Sequence, residues 1–372
     1  MKSIHFRRPS QATTLQPKML QIGSIKGKTL LLAIVFFCLF YLAGEMVART
    51  RPFQVYLTHQ TWGSRHRAFE MQLSRLDWVY NQEGSIDCIF LGNSMVWRGF
   101  DPEAFSKGFR VKTGQDLRCF NFGVDGLPAS NAGAIAEILI HDYRPQLMIY
   151  GTEARDYAVP PETQDARVLA EMAWLKYRQG QFSFQGWLVD RSELFRYRPS
   201  LQNLLRFNYQ YTARELANQP VGSRYGFDPD TRVRNVAIAP DRNNPEGHIQ
   251  YYYQLLANYQ MLPENLVGLR EVLSQHQAVD DLVVVELPVP PTYMLFFNNR
   301  DKDYQVFIDQ VSELTEEHQV LFLETTPWNT IPDDGWVDYS HLNQKGARIF
   351  SQMLGEKVGT AVMSGELANP ND

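Results

Sequence analysis

Gly92-Asn93-Ser94 directly follows the largely apolar run Ile86–Leu91, and Asp338-Tyr339-Ser340-His341 lies near the carboxyl end of the chain. The first peptide puts a hydroxyl on the turn that leaves a buried strand. The second puts an acid and an imidazole three residues apart, ahead of an amphipathic helix. A serine attacks an ester at neutral pH only when an imidazole takes its proton, and a carboxylate commonly orients that imidazole. The chain holds all three groups, in the order Ser…Asp…His. Gly-Asn-Ser on its own is a turn sequence, and Asp-x-x-His recurs by chance, so the argument rests on joint placement. The serine exits the first strand and the Asp–His pair opens the last helix, as a site assembled at one sheet edge requires. The eight histidines are otherwise scattered, with no close pair beside an acid on a helix face, so no metal is expected. There is no P-loop and no G-x-G-x-x-G after a strand, and no cofactor is expected.

Five short runs read as strands: Ile86–Leu91, Cys119–Phe122, Leu147–Tyr150, Leu282–Leu287 and Val320–Leu323. They are nearly continuous in apolar residues, as strands covered on both faces are. Helical periodicity lies between them. Asn131–Tyr143 gathers Ile135, Ile138 and Leu139 on one face behind Ser130 as N-cap. Glu264–His276 and Asp303–His318 are similar, and Gln344–Val358 turns Ile349, Phe350 and Leu354 inward. Such alternation predicts an α/β fold with a parallel sheet between helix layers. Open sheets of this kind bind ligands beyond the carboxyl ends of their strands, where Ser94, Gly126, Gly151 and Pro288 fall.

Residues 156–263 break the alternation. They are rich in Tyr, Phe, Trp, Arg and Gln and lack a clear buried strand. Met172–Tyr177 and Leu201–Leu216 read as helices and Gln219–Gly247 as loop. An insertion of this size at the carboxyl edge is either a lid or acceptor-binding cap over the site, or a satellite aromatic core. Residues 365–372 read as a disordered tail.

Charge is uneven along the 372 residues. Residues 1–28 carry six basic side chains and no acidic one, which leaves the rest at −11 against −5 for the whole chain. An acidic body argues against nucleic acid as a partner. Thr29–Ala48 is apolar enough for a membrane anchor, with Leu30–Ala43 free of any polar residue. The basic flank places 1–28 in the cytoplasm and everything beyond residue 50 on the extracytoplasmic, periplasmic side. An uncleaved anchor is expected, although Tyr41-Leu42-Ala43 loosely resembles a cleavage site. Cys38 lies in the span. Cys88 and Cys119 each stand four residues before a strand-ending glycine, as neighbours on adjacent strands. Two buried free thiols are expected, with a disulfide as the alternative.

In these motifs the chain resembles the SGNH hydrolases, also called the GDSL family of esterases, lipases and carbohydrate O-acyl enzymes. The family's Gly-Asp-Ser block is similar to Gly92-Asn93-Ser94, with Asn93 in place of the aspartate. Its second block resembles Asn121-Phe122-Gly123-Val124-Asp125-Gly126, and the Asp-x-x-His block is met by Asp338 and His341, followed by Leu342-Asn343. The third block departs. Where the family has Gly-x-Asn-Asp, this chain has Gly151-Thr152-Glu153, then Ala154-Arg155-Asp156. A glutamate there would repel an oxyanion. Arg155 would stabilise one, unless it pairs with Glu153 or Asp156 instead. Arg98 is a further cation near the serine, more readily read as solvated or salt-bridged. Gly-Asn-Ser also lacks the G-x-S-x-G pattern of an α/β-hydrolase nucleophile elbow.

The resemblance covers roughly residues 85–157 and 280–358. It implies a three-layer α/β/α, flavodoxin-like SGNH domain over 80–358, with 156–263 inserted. It implies Ser94 as nucleophile, His341 as general base and Asp338 as its orienter, with Gly126, Asn93 and Arg155 as oxyanion or binding residues. The implied function is a serine esterase or O-acyltransferase acting on acyl esters, with a cell-envelope or exported polysaccharide as substrate. A transferase would need a membrane protein partner to bring its acyl donor across the bilayer. A catalytically inactive glycan-binding or scaffold protein is the alternative.

Overall fold

The computed structural model describes residues 27–56, 61–63, 66–160, 162–198, 200–202, 225–234, 236–241, 247–328 and 330–368. The expected cytoplasmic tail up to residue 26, most of the helix expected at Leu201–Leu216 and the last four residues lie outside these. The chain divides into Met1–Val47 and a compact unit from Ala48 to Asp372. The first contains most of α1 (Gly27–Ala48). Its 22 residues span about 33 Å at 1.5 Å each. With a mean hydropathy of 2.4 over its most apolar window, it is long and apolar enough to cross a membrane.

In the second unit, β1 (Cys88–Gly92), β2 (Cys119–Gly123), β3 (Leu147–Thr152), β4 (Asp281–Glu286) and β5 (Leu321–Leu323) form one sheet. Its order is β2-β1-β3-β4-β5 and every pairing is parallel. The fold is therefore α/β, as the alternating pattern predicts. β1 to β4 are buried almost throughout. β5, at one edge, is only half-buried, whereas β2, at the other edge, is covered throughout.

The strand order reverses at β1, so right-handed crossovers put the helix between β1 and β2 on one face and the helices of the β2–β3, β3–β4 and β4–β5 crossovers on the other. One face carries α5 (Pro102–Thr113) and α15 (Gln344–Ser364), which pack together. Phe90 of β1 meets Phe105 of α5 and Phe100, and Phe100 meets Phe350 of α15. The other face carries α6 (Ala129–Tyr143) and α13 (Pro263–Ser274), also a packed pair, with α14 (Asp301–Glu317) following β4. α6 starts after Pro128 without a side-chain cap, so Ser130 is inside its first turn and not the N-cap expected.

Three features depart further from the sequence reading. After α2 (Arg51–Tyr56), α3 (Arg67–Glu83) lies upstream of the expected boundary at residue 80 but belongs to the core. Its Phe69, Leu73, Leu76 and Val79 are buried, each worth about 1.5–3 kcal/mol. Gln72 donates from one side-chain nitrogen to the carbonyls of Asn121, Gly123 and Gly226. Second, Cys88 and Cys119 are the first paired residues of β1 and β2 and form a disulfide, not the two free thiols expected. Register brings them face to face, which spacing alone could not establish. Third, the chain from Gly365 to Ala368 is held in place: Leu367 is buried and the Ala368 N–H donates to Asp281.

The inserted region has two parts. Four short helices, α8 (Gln164–Ala170), α9 (Ala173–Arg178), α10 (Phe184–Arg191) and α11 (Glu193–Arg196), extend the core of the sheet. There Trp174 packs on Trp62 and Phe69. The second part, residues 225–234, 236–241 and α12 (His248–Leu256), reaches the elements around Ser94 and His341: the Asp228 N–H donates to the Trp97 carbonyl, the Arg234 N–H to that of Trp336, and Tyr252 Oη lies 2.6 Å from Ser340 Oγ. Of the two expectations, a separate satellite core is not found among the described residues, because the insertion's buried side chains join the core of the sheet.

Candidate active site

A row of glycines makes room for the nucleophile turn. Gly92, Gly123 and Gly151 are aligned across β2-β1-β3. A Cβ on Gly92 would meet Val96 and the Gly151 carbonyl; one on Gly123 would strike the Trp97 backbone, and one on Gly151 would meet Val96 and Leu287. Only a bare sheet edge lets α4 (Ser94–Gly99) lie down on it, with Ser94 as its first residue. Asn121 of β2 ties that helix in place, donating to the carbonyls of Val96 and Phe100 (both 2.7 Å).

Ser94 Oγ lies 2.8 Å from His341 Nε2. His341 Nδ1 lies 2.9 and 3.0 Å from the two oxygens of Asp338. A carboxylate only accepts, so Nδ1 carries the ring proton and Nε2 presents its lone pair to the serine. Asp338 also accepts from the backbone N–H groups of His341 (2.8 Å) and Ser340 (2.9 Å). Burial alone would raise its carboxyl, but the His341 imidazole and these N–H groups outweigh that and hold it well below the usual carboxylate range. The carboxylate stays ionised and keeps the imidazole in one tautomer. The structure brings together Ser94, Asp338 and His341, 247 residues apart at the extremes.

The other expected site residues divide. Gly126 lies in the exposed turn after β2 at φ 72°, a backbone region that favours glycine. Among the described residues, neither its N–H nor that of Ser94 donates to a protein acceptor. Asn93 departs from the oxyanion role. Its Oδ1 accepts from the Met95 N–H (2.7 Å) as the N-cap of α4, and its Nδ2 donates to Asp156 (2.7 Å). Both ends are engaged inside the protein, so Asn93 aims Ser94. Arg98 is ion-paired to Asp230 at 3.7 Å.

Arg155 is in α7 (Ala154–Ala158), which begins at β3's end. Its Nε donates to Glu153 at 2.6 Å, its guanidinium lies 4.4 Å over the Tyr252 ring, and Nη2 is 3.5 Å from the sulfur of Met95, next to the serine. It therefore pairs with Glu153 and also borders the nucleophile. Burial would lower its pKa, but the Glu153 charge raises it, so it stays cationic. Glu153 is fully buried and accepts from Arg155 and from Tyr293 Oη (2.8 Å), so its charge is spent internally. Asp156 is pushed up to about 8 by burial and then by Glu153, and holds a proton at neutral pH.

Sequence reasoning missed several neighbours. Tyr252 Oη lies 2.6 Å from Ser340 Oγ, which donates to Asp338, so α12 braces the Asp-x-x-His turn. The Arg234 guanidinium covers Tyr339 at 5.0 Å, and the backbone N–H of Arg234 donates to the Trp336 carbonyl. His248 packs edge-on to Tyr252; burial lowers its pKa, opposed by Asp338 and assisted by Arg234, His341 and Arg155. All three come from the insertion, where no periodicity marked them. Ser340, inside the motif itself, was the one visible signal. A cavity of about 1,140 Å³ between α3, the end of α6 and α9 to α11 is lined by none of these residues. No family model and no curated protein matches the chain.

Proposed function

We propose that this protein is an SGNH-type serine esterase or O-acyltransferase. It is anchored by α1 with its body outside the cytoplasm, and acts on acyl esters of a cell-envelope or exported polysaccharide. One observation carries the reading: Ser94 Oγ bonded to His341 Nε2 at 2.8 Å, with Asp338 on the far nitrogen at 2.9 Å. The strand order β2-β1-β3-β4-β5, with the serine after β1 and the Asp–His turn before the last helix, supports the SGNH arrangement.

Ser94 Oγ attacks the acyl carbonyl while His341 takes its proton, and Asp338 stabilises the imidazolium that results. The oxyanion is received by the Ser94 and Gly126 N–H groups, with the Arg155 cation adding a favourable field. Each preorganised donor is worth about 2.7–4 kcal/mol of barrier. Collapse expels the alcohol, which takes the proton from His341 and leaves an acyl group on Ser94. Water or a sugar hydroxyl, deprotonated by His341, then attacks that ester and frees the serine.

The purified full chain is expected to release p-nitrophenol from p-nitrophenyl acetate and to lose that activity in Ser94→Ala. Slow hydrolysis that speeds up with an added glycan acceptor, with acetate appearing on the glycan, would identify a transferase. Glu153, buried where the family has an oxyanion-facing Asn, favours a second reading as an inactive glycan-binding or scaffold protein. Absence of both hydrolysis and transfer would select it.

A further inference from the structure

The turn after α9 and the helix α10 expose three large aromatic side chains within six residues. Phe182, Phe184 and Trp187 are 83%, 66% and 41% exposed, and the last two rings stack at 5.8 Å. α10 buries Gly186 and Val189 against its neighbours and turns this face to solvent. Scattered exposed apolar residues need no explanation, but a contiguous aromatic patch does. Basic side chains flank it: Lys176 in the last turn of α9 and Arg191 in the last turn of α10, with 68% of the Arg191 side chain exposed.

The position of the patch in the chain identifies its partner. The body begins at Ala48, where the apolar helix ends, and Arg49 donates to the Arg191 carbonyl at 2.8 Å. The residue that leaves the span is thus bonded to the carboxyl end of the helix that carries the aromatics. Trp and Phe with basic neighbours, beside the end of a span, are the composition of a membrane–water interface.

We propose that Phe182, Phe184 and Trp187 seat the body on the bilayer, at the headgroup–acyl boundary, with Lys176 and Arg191 on lipid phosphates. This surface also fixes where the site points. Arg178, four residues before Phe182, pairs with both oxygens of Asp142 at 2.7 Å. Asp142 is at the carboxyl end of α6, which runs against the strands, so Arg178, at the end of α9 that leads into the patch, is tied to the amino edge of the sheet. Ser94 and His341 are at the carboxyl edge, the opposite end of strands such as β3, whose six residues span about 20 Å. A body seated by this patch turns its triad away from the lipid. The ester that reaches Ser94 then belongs to a molecule extending into the aqueous space and not to a bilayer lipid. That last step rests on the serine-enzyme reading; the seating does not.

The test needs no enzymatic activity. α1 contains no tryptophan, so tryptophan emission reports only the body. The full chain is reconstituted into vesicles of phosphatidylcholine and phosphatidylglycerol, with and without bromine on the acyl chains near the headgroups. Emission is compared with that of Trp187→Phe. The Trp187 component, obtained by difference, is expected to fall at least about twofold in brominated vesicles. Phe182→Ser with Phe184→Ser should restore most of it. Equal emission with and without bromine would overturn the proposal. So would a Trp187 shielded from lipid while cross-linking reports a second copy or another protein on the patch.

Discussion

Asn93 shows how one residue does work that its place in a motif does not announce. Its side chain caps α4 and holds Asp156, so Asn93→Ala removes two buried hydrogen bonds beside Ser94. Loss of a cap costs about 0.5–2 kcal/mol, so thermal unfolding should show a lowered midpoint, with kcat falling more than KM rises because the nucleophile loses its aim. Asp338→Asn is expected to lower kcat by about 10⁴ while leaving the fold intact, since the amide no longer fixes the His341 tautomer; steady-state kinetics and circular dichroism check the two halves. Asp156 gives a pH dependence of known sign. Its native pKa is raised from 3.8 to about 8, so the folded protein binds this proton more tightly than the unfolded chain does. Stability from this group is fully present below about pH 4 and is lost as pH rises to about 8. Asp281, raised to about 6, adds the same slope over the lower part of that window. Denaturant titrations between pH 5 and 8 should show falling stability, and Asp156→Asn should flatten the slope whatever it does to the absolute value.

Elements explain why those residues meet. Gly92, Gly123 and Gly151 clear the sheet edge, and α4 fills the space with Val96 and the Trp97 backbone. Gly123→Ala should push α4 off β2, lowering esterase activity together with the unfolding midpoint. All five strands and the last helix were legible as apolar runs and a 3.6-residue period, and so was the carboxyl-edge position of Ser94 and His341. α3 was not, because its hydrophobic residues Phe69, Leu73, Leu76 and Val79 are diluted by Glu70, Arg75 and Asp77. Nor was the bracing from Tyr252 to Ser340 or from Arg234 to Tyr339, because contacts between residues about 90 to 105 apart leave no local pattern. The third block was legible only as a departure. Which charge Arg155 serves is decided by its 2.6 Å bond to Glu153, a fact of packing.

For the whole molecule, the disulfide and the proposed seating surface bear on the proposal that the body lies outside the cytoplasm. Cys88–Cys119 closes a loop with a sequence separation of 31 between neighbouring core strands, a constraint worth about 3–4 kcal/mol by loop entropy. Reduction under native conditions, or Cys119→Ser, should therefore lower stability by that order in a denaturant titration. An oxidising compartment would keep the bond, in agreement with the orientation drawn from the basic residues ahead of α1. The site at the carboxyl edge and the aromatic patch that follows Arg178 suit the proposal of an enzyme seated on a membrane with its site facing outward.

The most direct measurement of the central claim is covalent labelling of the serine. The full chain, treated with a fluorophosphonate and analysed by peptide mass spectrometry, should carry one phosphonyl adduct on Ser94, and His341→Ala should nearly abolish it. A wild-type Ser94 that stays unlabelled, or labelling equal in the two proteins, would contradict an imidazole-activated nucleophile.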